Sequence, residues 1–140
     1  MTTEPEGGES ACFAHLLTPT DTIAPIAIAA ILGATDGTGP IWSHRATDLD
    51  LNVVSITPAK PILPHTNAER DVLLVGLEGT GTITISDAAS PFGAGMLVVV
   101  PKGAVRSVVA STPRMAWLTC HTHRPHLFPT IGPRPKKSAE

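Results

Sequence analysis

The sequence predicts an all-β sandwich or barrel, and three observations predict it. Six short apolar runs recur along the chain: "LDLNVVSI", "DVLLVGL", "TITIS", "MLVVV", "VRSVVA" and "MAWLTCH". They are rich in Val, Ile and Thr, side chains that suit a pleated, half-buried surface. Clusters of turn-forming residues separate them, at 33–40, 57–61, 78–81, 87–95, 101–103 and 111–113, and no convincing helical stripe intervenes. A chain of 140 residues with 42% hydrophobic and 16% charged residues suits one compact core.

In chain order, "TTEPEGGES" cannot bury apolar surface, so residues 1–11 are expected to be a disordered tail. One domain is expected over 12–128, followed by a Pro-rich basic tail, 129–140, that carries Lys136 and Lys137 in reach of solvent. Residues 21–32 are ambiguous: Asp21 and Thr22 suit the cap of an Ala and Ile helix, while Pro25 suits an edge strand. The apolar run "IAPIAIAAILG" is about half of the roughly 20 residues a membrane-spanning helix needs. From Leu49 onward the six runs alternate with turns as a β domain should.

Composition excludes some functions. A formal net charge of −2 provides no broad basic surface for phosphates, and 4% aromatic residues provide few stacking platforms, so nucleic acid is not an expected partner. Cys12 and Cys120 lie far apart, and the acidic N-terminus has no basic and apolar leader pattern. A reduced, cytoplasmic setting is expected. "GLEGTG" lies between two strand runs, so its glycines read as a hairpin turn and not as a phosphate loop.

Two stretches carry a family resemblance: "HTNAERDVLLVGLEGTG" and "GMLVVVPKGAVR", with Gly95, Pro101 and Gly103 at fixed offsets. They resemble the paired motifs of the cupins, over roughly residues 42–124. "DVLLV", "PKGAVRS" and the ending with His121, Arg124 and Pro125 are similar to small single-domain actinobacterial-type cupins. The resemblance implies a double-stranded β-barrel, jelly-roll-like, with a metal held by His-x-His, a Glu and a later His. It also implies a homodimer, and "IAPIAIAAIL" suits such an interface.

The ligands depart from that pattern. His65 is followed by Asn67 where the family has a second His, and Arg106 replaces the later His. Glu69 fits the spacing to His65, whereas Asp71 fits the spacing to Gly79, so the carboxylate is open between them. A guanidinium has no lone pair for a metal and pairs well with a carboxylate. Later, alternation along "WLTCHTHRPH" places Trp117, His121 and His123 on one face.

Three readings follow. In the leading one the barrel binds a small organic molecule and performs acid–base chemistry without the four-ligand metal: isomerisation, cyclisation, epimerisation or dehydration. His65 and Asp71 or Glu69 exchange protons, Arg106 holds an anion, and Asn67, Trp117, His121 and Asn52 line the site. The second keeps one divalent metal, Fe, Zn, Mn or Ni, on His65, Asp71 or Glu69, His121 and His123, as in a dioxygenase or lyase. The third is a non-catalytic ligand binder.

Overall fold

A computed structural model of the chain describes residues 23–122. A coil from Ile23 leads into one short helix, α1 (Ile28–Gly33). Nine strands follow: β1 (Gly39–Arg45), β2 (Leu49–Ile56), β3 (Ile62–Thr66), β4 (Val72–Glu78), β5 (Thr80–Ile85), β6 (Ala88–Gly93), β7 (Leu97–Val100), β8 (Val105–Ala110) and β9 (Met115–Thr122). The ambiguity at 21–32 resolves into coil and helix. Asp21 and Thr22 lie outside the described residues, and the N-cap is Ala27, without a side-chain hydrogen bond.

The strands form two antiparallel sheets, one ordered β1-β2-β9-β4-β7 and the other β3-β8-β5-β6. All six runs read from the sequence are strands, and β2 and β8 coincide with "LDLNVVSI" and "VRSVVA". Each of the three strands the sequence hid, β1, β3 and β6, carries a proline and lies at a sheet edge. A proline there costs no interior ladder hydrogen bond.

The core lies between the sheets. Ile56, Val72, Leu74, Val100, Met115 and Trp117 fill it from the larger sheet, and Ile83, Phe92, Val108 and Ala110 from the smaller one. Close approach of the sheets requires glycine at position 76, because a Cβ there would sit 1.9 Å from the Gly93 carbonyl oxygen. Turn geometry requires it at Gly103, whose φ is +85°. The Gly103 N–H donates to the Asn67 carbonyl oxygen at 2.8 Å, which ties the turn after β7 to the turn after β3.

Candidate functional site

Strand parity places the polar side chains. Along β8, Val108 and Ala110 are core residues, so Arg106 shares their inward face. Its neighbours in register are His65 on β3 and Ile85 on β5. On the larger sheet the inward row through Trp117 continues to Thr119 and His121, paired with Asn52 and Asp50 of β2. These in turn face Ser43 and Arg45 of β1. Val72 pairs with Val100 at the end of β7 just before the turn that leads to Arg106, and Leu73 pairs with Cys120 beside His121. Both polar rows therefore lie at one end of the barrel, its mouth.

On the smaller sheet the Arg106 Nε–H donates to His65 Nε2 at 3.0 Å, and His65 Nδ1 lies 3.0 Å from the Leu63 carbonyl oxygen. One tautomer satisfies both contacts: the proton sits on Nδ1 and donates to Leu63, and the Nε2 lone pair accepts from Arg106. The rest of the guanidinium is underused, since Nη1 is buried without a hydrogen-bond partner. Burial lowers the Arg106 pKa from the usual arginine value. Three other arginines are described, and each has an acid within reach: Arg45 with Asp50 at 3.0 Å, Arg70 with Glu69 and Arg114 with Glu78, both at 3.8 Å. Among the described residues Arg106 is the one arginine with no ion pair.

The opposite wall is polar with little free charge. Ser43 Oγ donates to Asn52 Oδ1 at 2.5 Å, and the Arg45 Nε–H donates to Asp50 Oδ1 at 3.0 Å. His121 Nδ1 lies 3.0 Å from the Thr122 carbonyl oxygen, which fixes the proton on Nδ1 and leaves Nε2 as an acceptor. Sequence reading missed Ser43, Arg45 and Asp50, although the alternation that placed His121 would place Asp50 beside it once β2 is paired with β9.

The other expected site residues lie elsewhere. Asp71 is exposed, and its Oδ1 accepts from the Lys102 N–H at 2.9 Å, so it joins two turns. Alternation from inward Val72 points it away from the interior. The Glu69 side chain is 71% exposed. Asn67 Oδ1 accepts from the Glu69 and Arg70 N–H groups at 2.9 and 3.1 Å, which is a turn-building role. Trp117 is 3% exposed and belongs to the core. His44, which the sequence also offers as a polar residue near the mouth, faces the outer side of the sheet, where its ring stacks on Trp42 with centroids 6.3 Å apart. His123 lies outside the described residues.

These donors do not fit a four-ligand metal site. The His65 Nε2 lone pair faces a cation, Asn67 and Asp71 hold backbone N–H groups, and Arg106 repels a divalent ion. Among the described residues no three His, Cys, Asp or Glu side chains converge to hold a metal.

No protein-family model matches the chain, and no curated protein does. Solved structures do. A cupin-2 domain-containing protein from Shewanella frigidimarina superposes with a TM-score of 0.59 at 19% identity, over 70% of this chain and 94% of its own. The chain has the cupin fold. A double-stranded β-helix protein from Klebsiella pneumoniae superposes on this cupin fold with a TM-score of 0.60 at 14% identity, over 72% of this chain and 90% of its own. KdgF from Halomonas sp. superposes with 0.53 at 17% identity, over 58% of this chain and 74% of its own. At these identities the likeness is one of fold. No described helix is long and apolar enough to cross a membrane.

Proposed function

We propose that this cupin-fold chain binds a small organic molecule in the barrel mouth and catalyses proton transfer on it, without the four-ligand metal. The observation that carries the reading is the Arg106–His65 contact, with a cation where the resemblance to the cupin motif would put the last metal ligand. Isomerisation, cyclisation, epimerisation and dehydration each have an enolate route that begins with such a transfer. His121 Nε2 takes a proton from a carbon next to a carbonyl. The electron pair moves onto the carbonyl oxygen, and Arg106 steadies the resulting negative charge. His65 is a positioning residue, since its lone pair is already committed to Arg106.

The test is proton exchange in D2O. Small oxo- and hydroxy-acids are incubated with the protein, and the loss of carbon-bound protons next to the carbonyl is followed by NMR, beside elemental analysis of protein purified without a metal-binding tag. The expected result is exchange that His121→Gln abolishes, with no stoichiometric metal. One equivalent of metal that disappears in His65→Ala overturns the metal-free reading. Binding without exchange overturns catalysis and leaves the ligand binder.

A further inference from the structure

We infer that the ligand of the barrel mouth is a singly charged carboxylate whose other end is uncharged, held by the end-on edge of the Arg106 guanidinium. This deepens the small-molecule reading and rests on it. Charge balance comes first. A cation set on the inward face of a strand, next to core residues Val108 and Ile83, loses part of its hydration, and its buried Nη1 has no hydrogen-bond partner to replace it. The acceptor present is His65 Nε2, a neutral lone pair that takes one of five N–H groups. Arg70 Nε and Arg114 Nη2 are also buried without hydrogen-bond partners, but both of those arginines have an acid within 3.8 Å. Arg106 has none among the described residues, so one negative charge is what the mouth lacks.

Geometry then selects the kind of anion. With Nε committed to His65, the remaining pair is Nη1 and Nη2, two parallel N–H donors in the spacing of a carboxylate. A phosphate monoester brings a second negative charge that finds no free donor here: Arg45, across the barrel, is already paired with Asp50 at 3.0 Å, and His121 donates its Nδ1 proton to the Thr122 carbonyl oxygen and turns a lone pair, not a donor, toward the mouth. The remaining inward groups around the mouth are His121, Ile85, the Asn52 amide with its Ser43 partner, and Thr119. They suit a body that is apolar or carries hydroxyl or carbonyl groups.

Titration of the full-length protein, followed by amide NMR, tests the inference with benzoate, hexanoate, benzamide, hexanamide and phenyl phosphate. The acids are expected to bind saturably, with shifts at Ile85, Arg106 and Val108. Their affinity falls about tenfold to a hundredfold in Arg106→Gln, the effect of losing a charged bidentate pair. Arg106→Lys keeps the charge without the fork and falls between. Lys60→Gln, in the turn after β2, leaves the affinity unchanged. Amides that bind as well as the acids, or acids that bind Arg106→Gln undiminished, overturn the carboxylate and leave the small-molecule reading standing. Phenyl phosphate binding more tightly than benzoate overturns the single charge. Binding by none of the five overturns the small-molecule reading as well.

Discussion

Arg106 sets a cost of function against stability within one side chain. Its pKa is lowered by burial, so folding disfavours the charged form. For a base whose folded pKa is depressed, that penalty is fully present below the folded value and relieved only above the unfolded one. Near neutral pH the guanidinium is charged in both states, so the penalty is constant there and substitution reveals it. Arg106→Met keeps the apolar stem and removes the unpaired charge. Because the hydrogen bond it gives up, to His65, is exposed, the apo protein is expected to melt a few degrees higher. Differential scanning calorimetry with and without benzoate checks both halves: the variant is more stable alone and gains nothing from the ligand. An apo variant that melts lower than the parent shows that the contact with His65 outweighs the desolvation.

At the scale of elements, two turns make opposite predictions. Ser86 and Asp87 join β5 to β6 with φ values of 48° and 74°, while Ile85 and Ala88 pair on either side. A two-residue hairpin turn with positive φ at both positions favours Asn-Gly. Replacing both, Ser86→Asn with Asp87→Gly, is expected to stabilise by roughly 0.5–1 kcal/mol, read from urea unfolding. Gly76→Ala goes the other way, because its Cβ would meet the Gly93 carbonyl carbon as well as its oxygen, at 2.5 and 1.9 Å. Both are backbone atoms and cannot step aside. A loss of about 3 kcal/mol or more is expected in the same experiment.

Legibility in the sequence followed the same physics. Strands between neighbours, β2, β4, β5, β8 and β9, announced themselves as apolar runs, and so did edge strand β7 with its Leu and Val residues. Edge strand β6 was written in Ala, Ser, Pro and Gly and read as a turn, while β1 and β3, each interrupted by a proline, gave no apolar run long enough to read as a strand. The inward direction of Arg106 was open until Val108 and Ala110 fixed the parity of β8. Asp71 and Glu69 were misleading, since spacing from a motif cannot distinguish a carboxylate that enters the barrel from one that accepts the Lys102 N–H outside it. Asp50 and Arg45 were invisible for another reason: their roles depend on a pairing between β2 and β9, strands some sixty residues apart.

Across the whole molecule, the outer face of the larger sheet is apolar from edge to edge. One row across it runs Trp42, Val53, Leu118, Val75 and Leu97, and the next runs His44, Leu51, Cys120, Leu73 and Val99. Leu97 and Val99 are 68% and 52% exposed, and the α1 region adds Ile26 and Ile28 at 42% and 49%. Val53 and His44, at 2% and 4% exposed, are already covered within the chain, and we propose that a second copy covers the exposed remainder toward β7. Neither row carries an acid or a lysine or arginine, so a two-fold axis brings the face onto itself without like-charge repulsion, and the exposed isoleucines provide matching apolar surface. Light scattering is expected to report a dimer that Leu97→Lys with Val99→Lys converts to monomer. Cys120 gives a second readout from the same face, with Cys12→Ser as the background. Burial already raises its pKa, which keeps the thiol protonated and slow to react near neutral pH. Alkylation is therefore expected to accelerate on dilution as the dimer separates. A rate independent of concentration, with a monomer at every concentration tested, would mean that something other than a second copy meets this face.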